Sequence, residues 1–179
     1  GTPYLMVKFE LPRPEAAFFM SLLLLGWAVG APFSGWLSDH IGRQKPILVT
    51  DLVVICIMLA VVTGINDLPL GAVVACFVVI GLSGGGMTAC FGLVKDVMPA
   101  PLAGASTGVV NSMTVASGAI LQPFVGLALD LQWNGRLSDG ARHYAEGDYR
   151  NAFTLVLVAA VIGLVTALSI RETPSGHAP

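Results

Sequence analysis

Charge is what this chain lacks most. Of 179 residues, 9 are Lys or Arg and 11 are Asp or Glu, so 11% are charged, where a soluble domain carries about 25%. Too few charges are present to build the polar shell of a soluble fold, and there is no basic or polar excess of the kind nucleic-acid binding or disorder requires. Cysteine is equally sparse. Cys56, Cys76 and Cys90 sit within apolar runs without C-x-x-C spacing, so they read as small hydrophobes rather than a disulfide frame or metal site. No metal or cofactor is expected. No signal peptide is expected within it either: the chain starts at Gly1 with no basic segment and short apolar run behind it. The sequence is therefore expected to begin partway through a protein.

Apolar residues dominate instead. They make up 55% of the chain, with a mean hydropathy of +0.79, and the bilayer is the expected solvent. A helix crosses a hydrocarbon core of about 30 Å with roughly 20 apolar residues. Five segments meet that requirement, at about residues 16–38, 46–66, 69–94, 102–129 and 151–170. These runs are continuous rather than alternating, which excludes a transmembrane β-barrel. Pro69 is placed to start a helix, and Pro99 and Pro101 mark the turn before the fourth span. That span is about 40 Å long at 1.5 Å per residue, so it must tilt or protrude, with a kink expected at Pro123. Its loop to the fifth span, residues 130–150, is the only long one.

Small residues indicate how the helices meet. Gly26, Gly30, Ser34 and Ser38 recur every fourth residue in the first span, as do Gly104, Gly108 and Ser112 in the fourth. In lipid, such stripes allow close backbone approach. Gly81, Gly84, Gly85 and Gly86 suggest either a close contact or a flexible joint in the third span. Thr107, Asn111, Thr114, Gly118 and Gln122 share one face of the fourth span. They are candidates for interhelical hydrogen bonding or for lining a substrate path, and Thr88 and Ser83 are candidates to face a cavity. Asp51, about one turn into the second span, is expected to pair with Arg43 or Lys45 near the surface. The Lys and Arg residues divide four against five between the two sides, which leaves orientation undecided.

The loop after the first span reads Gly35-Trp36-Leu37-Ser38-Asp39-His40-Ile41-Gly42-Arg43-Gln44-Lys45-Pro46. It resembles the G-x-x-x-D-x-x-G-R-[RK] loop motif of the major facilitator superfamily of transporters. Gly35, Asp39, Gly42 and Arg43 match. Gln44 stands where the motif has a base, and Lys45 follows it. Asp39 lies at a helix C-terminus, where the helix dipole disfavours an anion. It therefore needs a partner, either Arg43 or the N-terminus of another helix.

The resemblance covers most of the chain and implies an all-α integral membrane protein. Its five spans would be helices eight to twelve, a partial half of the twelve-helix major facilitator fold, with Gly1 to about Met6 as the frayed end of helix seven. It further implies that the motif holds one side of the transporter closed against the opposite half, and that Asp96 can accept a bond from Arg43. The motif loop and C-terminal tail would be cytoplasmic in a multi-pass cell-membrane protein. The implied function is secondary transport of a small solute by alternating access, with or without a coupling ion. The partners are membrane lipid and the missing N-terminal half, not nucleic acid. The rival reading is a five-span scaffold or partner-binding subunit. An enzyme ranks third, since no H-E-x-x-H motif or intramembrane histidine is present.

Overall fold

The computed structural model describes residues 1–138 and 141–170, without the side chains of residues 96, 97, 100, 138 and 141. Seven α-helices account for most of it: α1 (Thr2–Phe9), α2 (Arg13–Ile41), α3 (Lys45–Gly64), α4 (Leu70–Gly84), α5 (Met87–Val97), α6 (Ala103–Gln132) and α7 (Glu146–Ser169). A 3₁₀ turn at Ala100–Leu102 precedes α6. The loop before α7 carries a minimal antiparallel pair, β1 (Leu137–Ser138) and β2 (Ala141–Arg142), with Leu137 opposite Arg142. Five helical segments are long and apolar enough to cross a membrane: Arg13–Ile41, Lys45–Gly64, Leu70–Lys95, Ala103–Gln132 and Glu146–Ser169.

The helix ends follow local chemistry. Pro69 caps α4 in an extended conformation, and Pro12 does the same for α2. The fifth apolar run is expected from residue 151, yet α7 starts at Glu146. Glu146 and Asp148 occupy its first turn, where acids complement the helix dipole, and Asp148 Oδ2 accepts the Ala145 N–H at 2.8 Å. Likewise, α6 continues as helix across Pro123 to Gln132.

Two departures from the sequence reading stand out. The third span is not one regular helix, because it breaks at Gly84-Gly85-Gly86. Around the break the bonds tighten to the i→i−3 pattern: Gly85 N–H to Leu82 O at 3.1 Å, Gly86 N–H to Ser83 O at 3.1 Å and Thr88 N–H to Gly85 O at 3.0 Å. Glycine is about 1 kcal/mol per residue less favourable than Ala in a helix, and consecutive glycines suffice to permit this 3₁₀ stretch. Secondly, the N-terminal segment is not frayed. α1 runs to Phe9 and buries Tyr4 and Leu5 completely. The Tyr4 ring meets the edges of Tyr149 and Phe153, and Lys8 Nζ pairs with Glu146 Oε1 at 2.8 Å and donates to Asn66 O at 2.7 Å.

Packing concentrates on three helix pairs, α2 with α4, α3 with α7 and α3 with α4. One apolar core, built on Tyr4, Leu5, Ala16, Val62, Val73 and Phe77, lies at the end where α2 begins. A smaller one, of Leu48, Ala89, Leu93 and Ala167, lies at the end where α2 turns into α3. Between them, α2 and the broken helix touch through backbone. A Cβ on Gly26 would lie 2.6 Å from Val78 O. One on Gly30 would overlap the Leu82 carbonyl, and one on Gly85 would overlap the Gly30 backbone. Gly26, Gly30, Ser34 and Ser38 are all buried on this face.

α6 behaves differently. It packs along α7 and α5 but has no buried residue. Among the described residues nothing lies within 4 Å of a Cβ built on Gly104 or Gly108, so the close helix contact expected at those two residues is not made there.

Candidate switch loop and polar membrane residues

The motif loop is three residues long, Gly42 to Gln44, between α2 and α3. It can be that short because Gly42 ends α2 in the left-handed region (φ 68°), donating its N–H to Ser38 O at 2.9 Å. Glycine is the residue that adopts this geometry without a Cβ penalty. The Gln44 side chain, standing in place of the motif base, lies against Gly92 of α5, where a Cβ would come within 2.6 Å of Gln44 Cδ. Gly35 is half-buried with no described atom near its Cβ position, so no neighbouring helix among the described residues uses its lack of a side chain.

The charged members of the motif separate. Asp39 is exposed on the last turns of α2 and, among the described residues, makes no side-chain hydrogen bond or ion pair. Arg43 is not its partner here. Lys45 instead turns to α7, donating to Leu168 O at 2.8 Å and Ile170 O at 2.6 Å. It thereby caps the end of a helix whose last carbonyls have no intrahelical donor. The Asp96 side chain and the tail from residue 171 lie outside the described residues.

Asp51 departs from its expected pairing with Arg43 or Lys45. Its carboxylate points across to α2 and accepts the Ser34 Oγ hydroxyl at 3.3 Å. It also presses on the helix break, where a Cβ on Gly86 would overlap it. Periodicity within α3 carries no signal for this, since both contacts come from other helices.

The polar face of α6 turns outward. Asn111 and Gln122 are exposed, while Thr114 returns its hydroxyl to Val110 O at 2.9 Å in its own helix. Thr88 is half-buried and similarly bonds Gly85 O at 3.0 Å. The side-chain bond joining α6 to α7 comes from Asn151 and Gln132, at 2.5 Å.

A bundle of five membrane-length helices with apolar outer surfaces defines a multi-pass membrane protein. The sequence model described as Major Facilitator Superfamily matches residues 2–179. The chain belongs to that superfamily. It is 31% identical over 136 residues to the "Inner membrane metabolite transport protein YhjE" of Escherichia coli (strain K12), a match covering 71% of this chain and 29% of that protein. It is also 31% identical over 103 residues to the "Probable metabolite transport protein CsbC" of Bacillus subtilis (strain 168), covering 57% of this chain and 22% of that protein. The chain thus spans less than a third of the length of these relatives. No solved structure matches it.

Proposed function

We propose that this chain is the C-terminal portion of a secondary transporter that moves a small metabolite by alternating access, with α2 to α7 as helices eight to twelve and α1 as the end of helix seven. The observation that carries this reading is α6. It is a helix of membrane length that buries nothing in this chain, and its outward polar face, with Asn111, Thr114 and Gln122, is suited to an aqueous path or a second helical half. Asp39, without a partner among the described residues, fits the same picture. The partner is the N-terminus of a helix in the other half, and the contact holds the cytoplasmic side closed. The relatives' printed descriptions as metabolite transport proteins support a small-solute substrate. Membrane lipid and the N-terminal half are the partners, and the motif loop and tail are cytoplasmic.

The test is uptake into vesicles by the longer protein that contains this chain, with a panel of small metabolites. Uptake by the longer protein, lost or slowed in Asp39→Asn and absent from the 179-residue chain alone, is the expected result. Uptake by the isolated chain as a monomer refutes the missing-half reading. A longer protein that moves no solute yet retains a stable bound partner subunit favours the scaffold instead.

A further inference from the structure

Asp51 is the charged residue set furthest from the ends of the membrane-length helices. It stands six residues beyond Lys45, about 9 Å along α3 at 1.5 Å per residue. Two crevices meet at its carboxylate. One, of about 430 Å³, lies among α3, the α4–α5 break and α7, lined by Leu48, Leu52, Met87 and Ala167. The other, of about 300 Å³, lies among α2, α3 and α4, with Phe33, Ser34 and Leu82 on its walls. Both are mainly carbon-lined, with few polar atoms besides Asp51.

From α2 comes the Ser34 hydroxyl, with Asp39 and His40 exposed further along the same helix. On α3, the preceding cation is Lys45, whose ammonium is held by Leu168 O and Ile170 O. α4 offers the Ser83 hydroxyl, and α5 offers Cys90, the other titratable group lining the crevices. Lys95 of α5 is exposed. α7 contributes Thr166 and no ionisable lining residue. Among the described residues, hydrogen bonding at the Asp51 carboxylate therefore comes from one hydroxyl at 3.3 Å.

An ionised carboxylate in apolar surroundings is stabilised by a paired cation or by two or three donors. A divalent cation would need about six oxygen ligands, and among the described residues no group of acids, Cys or His can hold a metal. A proton needs one oxygen. Ser34 suits either state, because a hydroxyl donates to the anion and accepts from the neutral acid.

We infer that Asp51 is a proton-binding site, formed with Ser34 and seated against Gly86, in which the carboxylate takes a proton from hydronium in a crevice, leaving water, and later returns it to water. Only an O–H bond forms and breaks. The charge change falls where α2, which leads into the motif loop, meets α3 and the broken helix. Coupling of this proton to solute movement rests on the transporter reading, whereas the site itself does not.

The test uses the full chain in lipid nanodiscs and infrared difference spectra across pH. Wild type should gain the C=O band of a neutral carboxyl as pH falls, its intensity following a one-proton curve in which the acid-to-anion ratio changes about tenfold per pH unit. Asp51→Asn should lack that band. Ser34→Ala should retain it at a shifted frequency, since the carbonyl loses its hydroxyl neighbour. If Asp51→Asn removes no titrating carboxyl band, the proton site is refuted. If Ser34→Ala leaves the band unmoved, the Ser34 pairing is refuted. A longer protein without transport but with the band intact counts against the transporter reading alone.

Discussion

Gly30 of α2 lies so close to Leu82 of α4 that a methyl group on Gly30 would occupy the place of the Leu82 carbonyl. Both sides of this contact are backbone, which cannot swing aside as a side chain can. Gly30→Ala should therefore part the helices and destabilise the bundle by about 1–3 kcal/mol, the range for overpacking. Gly104→Ala is the control. With nothing within 4 Å of its Cβ, it should be neutral or stabilising by up to about 1 kcal/mol through helix propensity. Unfolding midpoints in detergent compare the two. Equal destabilisation by both would show that the α2–α4 contact is not made.

Lys8 ties α1 to two other parts of the bundle. Its side chain is only 5% exposed and reaches both Glu146 and Asn66 O. Lys8→Met should leave Glu146 without its cation and release α1, at a cost of about 1.5–3 kcal/mol for hydrogen bonds to a charged group. Glu146→Gln should cost less, since the bond to Asn66 O remains. Hydrogen exchange over residues 2–9 measures the effect. Protection unchanged in Lys8→Met would mean that the aromatic contacts of Tyr4 hold α1 unaided.

Much of the fold can be read along the chain, because membrane spans announce themselves by length and hydropathy. The Gly26–Gly30–Ser34–Ser38 stripe is visible for the same reason, its four-residue spacing being a property of one helix. What the sequence conceals is which element receives each face. Gly84 to Gly86 leave close contact and flexible joint undecided, and the structure shows the close contacts, with Gly85 on the Gly30 backbone and Gly86 against Asp51. Asp51 finds Ser34 rather than its sequence neighbours where α2 and α3, both packed on α4, face each other across that helix. Gly104 and Gly108 carry the same stripe signal as Gly26 and Gly30 yet meet nothing among the described residues, since a stripe specifies a face and not its occupant.

Lys45 closes the end of α7. Its ammonium sits on the carbonyls of Leu168 and Ile170, groups that would otherwise rely on water or lipid headgroups. Lys45→Met should fray the last turn of α7 and cost about 0.3–1 kcal/mol, rising to about 2 in partly buried geometry. Lys45→Arg should retain most of the effect. Amide exchange over residues 165–170 is the readout, and an α7 end equally protected in Lys45→Met would remove the capping role.

Tyr144, in the loop before α7, provides a pH-dependent contact with Asp130 near the end of α6. Its hydroxyl donates to Asp130 Oδ1 at 2.5 Å, the same oxygen that Arg142 meets at 2.7 Å. The hydrogen bond to Asp130 raises the Tyr144 pKa above its ordinary value of 10.0, helped by slight burial and by the charge of Asp130, while Arg142 acts in the opposite direction. Since the neutral phenol is the form the fold favours, its contribution is complete below pH 10.0 and is lost as pH climbs through the raised folded value. Asp130→Asn removes the anion and should bring the Tyr144 midpoint back down toward the ordinary value. Phenolate absorbance, taken as the difference between each protein and its Tyr144→Phe version, isolates this residue. A wild-type midpoint no higher than that of Asp130→Asn would show that the loop does not hold Tyr144 on Asp130.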